Sequence, residues 1–415
     1  MTTTASIDPD RPADAAAEKS RERRALGVAS GAHVMHDGYT DLVWIALPIW
    51  QAEFGLSYAA VGLLRMVYSG TLAVLQIPAS IVAERIGART VLAVGTALAG
   101  LCYCLAGFSA SFPVLAAVLF IGGLGAATQH PIASALVTRT FTGARALTAF
   151  GTYNFAGDVG KVLIPATATT LILFMPWRPA YGLLGLVGIA IAAAIFLLMP
   201  RLPPEAARAA KPAASTPAER THAAGEDARL RFGYRVLVAF GIADSVVRGA
   251  FFVMLPFLLI GKGAAVTTAG FALTLVFVGG ALGKLAFGWV GKWIGTPASI
   301  VISQALTAAG IAAVLYLPLA ATLVLLPFLG VVLNGVTTVI YGSVPDYSAP
   351  DQRTRALSMF YTITIGAAAV APPVSGLIGD TIGIYSTIIA VSVLTLATIP
   401  LAFLLKGGHS HHAAV

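Results

Sequence analysis

Along the chain, stretches of roughly 20 mostly apolar residues, the length that carries an α-helix across a bilayer, recur with short polar breaks between them. Read by window, they predict helices near 26–50, 57–81, 89–110, 112–138, 146–173, 179–200, 234–260, 267–290, 297–318, 320–343, 355–378 and 382–405. Most breaks carry turn formers, as at Phe112-Pro113 and Ile294-Gly295-Thr296-Pro297. One break is longer. From Arg201 to Arg231 the chain is rich in Ala, Pro, Glu and Arg, and this polar linker divides six predicted spans from six. Residues 1–24 are polar and lack the apolar core of a cleavable signal peptide, so the first span is expected to direct its own insertion. The expected organisation is a tail (1–24), a six-helix lobe (25–200), a linker (201–233), a second six-helix lobe (234–405) and a His-containing tail (406–415).

Composition removes the water-soluble alternatives. Hydrophobic residues make up 57% and charged residues 11%, against roughly 25% charged in an ordinary globular domain. With a mean hydropathy of +0.84, too few polar side chains remain to cover a water-facing surface. The expected class is therefore an all-α membrane protein of twelve transmembrane helices. A disordered chain, a coiled coil and a disulfide-stapled secreted domain are excluded. The two cysteines, Cys102 and Cys104, point to different faces of one helix and do not suit a structural disulfide.

The net charge of +8 and pI near 9.6 would suit a nucleic-acid binder until the basic residues are located. Of the 26 Lys and Arg, 20 fall on the side of the termini and linker, two (Arg178 and Lys262) on the other, and four inside predicted spans. Such an excess marks the cytoplasmic face. Both termini and the linker are thus expected in the cytoplasm of a bacterial inner membrane. The same asymmetry accounts for the basic pI without nucleic acid. No cofactor is expected, and the chain is expected to act as a monomer in the lipid bilayer.

The chain also repeats itself. A shift of 208 residues places Pro48 on Pro256, Gly62 on Gly270, Gly87 on Gly295, Tyr153 on Tyr361 and Pro165 on Pro373. A shift of 210 places Arg145-Ala-Leu-Thr-Ala-Phe150 on Arg355-Ala-Leu-Ser-Met-Phe360. Two parallel repeats are the arrangement of two-lobed transporters, whose site lies between the lobes. Here a resemblance enters. Ser80-Ile-Val-Ala-Glu84-Arg85-Ile-Gly87-Ala-Arg89, between the second and third spans, resembles the G-x-x-x-D-R-x-G-R-K/R loop of the major facilitator superfamily, with Ser for Gly and Glu for Asp. The resemblance covers residues 25–405 and implies a major facilitator fold whose two lobes rock about a central site. Ala32-His33-Val-Met-His36-Asp37 through Leu47-Pro48-Ile49-Trp50 to Glu53-Phe-Gly-Leu-Ser57, and Gly122-Gly-Leu-Gly125 through His130-Pro131, are similar to the fosmidomycin-resistance branch. The run Asn154-Phe-Ala-Gly157-x-x-Gly160 with Pro165 matches it more loosely. That likeness implies a drug or small-molecule exporter, coupled to protons by antiport.

Four acids (Asp37, Asp41, Asp158 and Asp244) and four bases (Arg65, Lys161, Arg248 and Lys284) lie inside predicted spans. Each would cost about 2.5–3.5 kcal/mol at the bilayer centre, so they are expected to face the bundle interior. His33, Asp37 and Asp41 are four apart and share a helix face with His36 beside them. A carboxylate among imidazoles is a natural place to load and release a proton, so these four are the proton-coupling candidates. Asp158 with Lys161, and Asp244 with Arg248, have the spacing of pairs within one helix. Arg65, Asp158, Lys161, Asp244, Arg248, Lys284, Tyr153, Tyr361 and Asn334 are the substrate-binding candidates. Arg offers a fork for carboxylate, phosphate or phosphonate, and Lys a point charge. Glu84, Arg85, Arg89, His130, Arg145 and Arg355 are the gating candidates. Pro131 removes a helical hydrogen bond next to His130. Gly157-x-x-Gly160 reads as close helix packing.

The function expected is proton-coupled secondary transport, with export, of a small charged organic molecule, an anion foremost. The alternative is export of divalent Ni, Co or Zn. His33, His36, Asp37 and Asp41 are metal-ligand types, and the tail ends with His409, His411 and His412. A remote third reading is a transporter-like sensor or intramembrane enzyme. No H-E-x-x-H, G-x-S-x-G or P-loop pattern supports catalysis, and the chain is not expected to be an enzyme.

Overall fold

The computed structural model describes residues 12–141, 143–200, 223–349 and 352–405. Residues 1–11, most of the 201–233 linker and the 406–415 tail with His409, His411 and His412 lie outside them. The described residues form helices and turns without a strand: α1 (Pro12–Phe54), α2 (Tyr58–Ile86), α3 (Ala88–Ala106), α4 (Phe112–Ala126), α5 (Gln129–Thr140), α6 (Gly143–Phe174), α7 (Trp177–Leu198), α8 (Ala223–Gly261), α9 (Val266–Tyr316), α10 (Leu319–Ser343), α11 (Arg353–Ala397) and α12 (Ile399–Leu404). Among the described residues, nine stretches are long and apolar enough to cross a membrane. The first helix is not one of these, because His33, His36, Asp37 and Asp41 dilute its apolar run.

Two of the long helices each combine two of the predicted spans. The 51 residues of α9 and 45 of α11 each break at a glycine in the left-handed region, Gly295 (φ 75°) and Gly383 (φ 85°). Only glycine adopts that conformation without a Cβ penalty, so each long helix is two rods. The first break is the predicted Ile294-Gly295-Thr296-Pro297 turn. Gly87, its repeat partner, has φ 97° between α2 and α3. With these breaks, with α4 and α5 taken as one interrupted span and with α12 ending the last rod, the described helices make twelve rods. The interruption precedes His130-Pro131, where proline has no N–H to continue the ladder. The first helix begins at Pro12, earlier than the predicted 26, because Ala, Glu, Lys and Arg in that stretch are strong helix formers.

Packing is uneven along the bundle. Where α1 ends and α2 begins, both halves share one hydrophobic cluster that runs from Trp50 and Val61 to Phe257 and Leu273. At the opposite end each half keeps its own, one around Leu92, Leu136 and Val137, the other around Leu237, Ile300 and Phe360. The halves are therefore joined at one end and parted at the other. The joint follows the sequence repeat. A Cβ at Gly62 of α2 would run into the backbone of Pro372 and Pro373 on α11, and one at Gly270 of α9 would lie 2.7 Å from Thr169 on α6. Near the joined end Arg178 lies 2.7 Å from Glu53; this bond, with one from Trp177, holds the Glu53 carboxyl below its usual range. Outward side chains such as Val74, Ile77 and Phe328 are exposed and apolar, as a lipid-facing surface requires.

Candidate functional site

Asp37 of α1 gathers four side chains of the first half around its carboxylate. Three imidazoles converge on its Oδ1: His33 Nε2 at 3.4 Å, His130 Nε2 at 3.8 Å and His36 Nε2 at 3.9 Å. Lys161 Nζ of α6 lies 3.2 Å from its other oxygen. His33 Nδ1 is 2.8 Å from the Tyr153 carbonyl oxygen. Since a carbonyl only accepts, Nδ1 is the donor of this bond, which leaves Nε2 to face Asp37. The His33 ring also stacks on Tyr153, centroids 4.1 Å apart.

Small residues make this approach fit. A Cβ at Gly157 would meet His33 Nε2 at 2.7 Å and Asp37 Oδ2 at 2.8 Å. One at Gly160 would overlap the Val34 carbonyl. The Gly157-x-x-Gly160 run thus packs α6 on α1, as its spacing predicts, and also leaves the space that the His33–Asp37 pair occupies.

The second layer joins the halves electrostatically. Lys161 Nζ is 3.7 Å from Asp158 Oδ1 on its own helix, and Lys284 Nζ of α9 donates to that same oxygen. One carboxylate oxygen therefore faces ammonium groups from both halves. Asp244 of α8 pairs with Arg248 at 3.2 Å and accepts from Gln304 Nε2 at 3.1 Å. The side chains of Lys161, Lys284, His130 and Arg248 are between 21% and 34% exposed, so they border open space while their carboxylate partners are covered. Tyr361 of α11 closes the ring, its centroid 6.4 Å from His130 and 5.6 Å from Tyr341.

Other expected residues lie elsewhere. Arg65 is buried; its guanidinium donates to the Thr40 carbonyl and sits 4.0 Å over the Trp44 ring. Asp41 is half-buried one helical turn from Asp37. Asn334 donates to the Gly330 carbonyl of its own helix. Of the gating set, Glu84, Arg85 and Arg355 are exposed, Arg89 stacks on Phe196 at 4.3 Å and Arg145 pairs with Glu22. His130, also of the gating set, lies just past the α4–α5 break and reaches Asp37. Gln304 and Asp380 were not anticipated. The first is signalled by an amide within an apolar span. The second gives no signal, since its partner is a helix end in the other half.

His33, Asp37 and His130 offer ligand atoms within 4.8 Å of one another, the spacing a metal ion needs. The Lys161 ammonium 3.2 Å from the shared carboxylate repels any cation placed there.

The sequence profile of the Major Facilitator Superfamily matches residues 30–258 and 237–413. A probable L-galactonate transporter of Escherichia coli (strain K12) is 26% identical over 146 residues, 35% of this chain and 32% of that protein. A probable sulfoacetate transporter of Cupriavidus necator is 28% identical over 146 residues, 35% of this chain and 34% of that protein. A multidrug resistance protein of Escherichia coli is 25% identical over 173 residues, 41% of this chain and 44% of that protein. The chain thus matches between 32% and 44% of the length of these curated relatives. Among solved structures, a bacterial homolog of the human lysosomal transporter Spinster, inward-facing and occupied, superposes with a TM-score of 0.77 at 15% identity, covering 93% of this chain and 97% of that one. With a helical bundle in two repeated halves, and a family profile that spans both, this chain belongs to the Major Facilitator Superfamily.

Proposed function

We propose that the chain is a proton-coupled secondary transporter of a small organic anion. Its twelve rods act as twelve membrane spans in two lobes (25–200 and 234–405) that rock about the charged site. The observation that carries this reading is the Asp158 carboxylate held by Lys161 from one lobe and Lys284 from the other. A bound anion can take that carboxylate's place between two ammonium groups and so register on both lobes at once. Asp37, with His33, His36 and His130 around one oxygen, is the proton site; Asp41 and the buried Arg65 support it from neighbouring turns. Arg248, Tyr153 and Tyr361 border the substrate. The charge asymmetry supports a bacterial cytoplasmic membrane with both termini in the cytoplasm, and hence a protein open to the cytoplasm in the conformation described. The relatives named for galactonate and sulfoacetate transport support an organic acid as substrate. The fosmidomycin-resistance likeness and export rest on the resemblance of short motifs.

The energetics are adequate. One proton moving down 100 mV releases about 2.3 kcal/mol, and each pH unit adds about 1.4 kcal/mol, enough for tenfold to hundredfold accumulation. The test is transport in proteoliposomes under an imposed pH gradient, with L-galactonate, sulfoacetate, Ni, Co and Zn offered in turn. Gradient-dependent movement of an organic acid is the expected result. Movement of the metal ions alone would overturn the anion reading in favour of a cation exporter.

A further inference from the structure

Away from the charged site, the first half holds a basic cavity near the start of α1. Lys19, Glu22, Arg23 and Leu26 are spaced i, i+3, i+4 and i+7, so they share one face of that helix. With Phe141 and Arg145 they border an open cavity of about 250 Å³. Arg145 of α6 pairs with Glu22 and lies 5.9 Å from the Phe141 ring centroid. Lys19 and Arg23 are exposed and have no ion-pair partner among the described residues. The lining thus carries three cations against one carboxylate, which is already paired. A second cavity of about 330 Å³ shares Leu26, Phe141 and Arg145 and continues past Thr148 and Thr152 of α6. Beyond it the same side of α6 presents Phe155, Val159 and Leu163, all exposed, at the spacing of one helix face. The repeat does not reproduce this opening. A shift of 210 brings Arg23 onto Gly233 and Ala146 onto Ala356. There the Tyr347 ring fills the space over Gly233, and Tyr234 donates to the Ala356 carbonyl at 2.9 Å.

We propose that this cavity binds the headgroup of an anionic phospholipid, whose acyl chain lies along the exposed side of α6. A phosphate diester presents two anionic oxygens. Arg23 and Arg145 offer planar forks for them, and Lys19 a point charge. Depth agrees with charge. Leu26 opens the first predicted span, so Lys19 and Arg23 stand at headgroup level, with Leu26 and Phe141 on the apolar side of them. Basic pockets between helices on the cytoplasmic side are suited to anionic headgroups, and the leaflet assigned here rests on the orientation proposed above. A free phosphate would use the cations and leave the Leu26–Phe141 floor and the α6 stripe uncovered. A lipid covers both. The turns of α1 that precede Leu26 are thereby held at the membrane surface, by the Glu22–Arg145 pair on one side and by the lipid on the other. The second half, its corresponding space filled by Tyr347, has no such site.

The experiment measures lipid retained by the full chain, purified in detergent, using native mass spectrometry. Phosphatidylglycerol and phosphatidylcholine of matched acyl chains are the probes. Phosphatidylglycerol should be retained in preference. The double variant Lys19→Gln with Arg23→Gln should weaken its retention by about fivefold for each cation removed. Both side chains are exposed and glutamine is a good helix former, so the variant keeps its fold and reports binding. Removing the same charge from the second half, by Arg235→Gln with Lys292→Gln, should leave retention unchanged. An equal loss in that control would show diffuse attraction to a basic face and overturn the site. Equal retention of the two lipids would overturn it as well. Displacement of phosphatidylglycerol by millimolar glycerol phosphate would overturn the lipid assignment in favour of a free phosphate. None of these outcomes bears on the transported substrate, since no substrate is present in the measurement.

Discussion

Asp158 is where two descriptions of one residue diverge. Within α6 it is the i,i+3 partner of Lys161; in the folded chain its shorter contact is with Lys284 of the other half. If Lys284 holds substrate, Lys284→Gln should weaken anion binding by about 1.5–3 kcal/mol, the worth of a hydrogen bond to a charged group, or roughly 10-fold to 150-fold in affinity. Losing the ammonium also leaves Asp158 short of a partner. Calorimetry on the double variant Asp158→Asn with Lys284→Gln separates the two effects. Recovered expression with binding still weak marks Lys284 as a ligand. Recovery of both would show that the pair only ties the halves together. Arg65 serves as the contrast: stacked on Trp44 and bonded to Thr40, its charge is already engaged away from the open space.

At the level of elements, the joint between halves ends in a helix cap supplied from across the divide. Asp380, at the far end of the first α11 rod, accepts from the Tyr58 N–H at 2.8 Å and the Ala59 N–H at 2.9 Å. These are two of the unpaired donors of the first turn of α2, whose own cap, Ser57 Oγ, takes the Ala60 N–H at 3.2 Å. A cap is worth about 0.5–2 kcal/mol, and this one exists only while the halves are joined. Asp380→Ala should therefore raise the population parted at this end by about 2-fold to 30-fold, with the helices intact. Distances between spin labels at Leu56 and Thr381 report it directly. An unchanged distance distribution would show that the shared hydrophobic cluster alone holds this end closed.

On the scale of the whole molecule, the two halves share a hydrophobic cluster at one end and keep separate clusters at the other. Orientation follows from charge. Lys292, beside the Gly295 break, should be cytoplasmic, and Ala265, between α8 and α9, external. An impermeant thiol reagent applied to intact cells should label Ala265→Cys and leave Lys292→Cys unlabelled until the membrane is opened. The reverse pattern would invert the protein in the membrane.

The sequence by itself determined the membrane class, the repeat and the residues that carry charge into the bundle. Hydropathy, Gly and Pro punctuation and the cost of buried charge act locally, so window and spacing arguments reach them. The break at Gly295, the neighbourhood of His33 and Asp37, and the use of glycine at Gly157 and Gly160 all follow from short-range chemistry, whereas Gly383 breaks the chain inside the predicted 382–405 helix. Tertiary structure alone decided the partners. Asp37 takes Lys161 because α1 and α6 touch through glycines, His130 arrives through a broken helix, Lys284 crosses to Asp158, and Asp380 caps a helix more than 300 residues away. An ion pair depends on distances of a few ångströms between separate helices, and one chain's periodicity holds no information about which faces meet. The sequence therefore named the charged residues, and only the packing of the two lobes determined that a single carboxylate would face both.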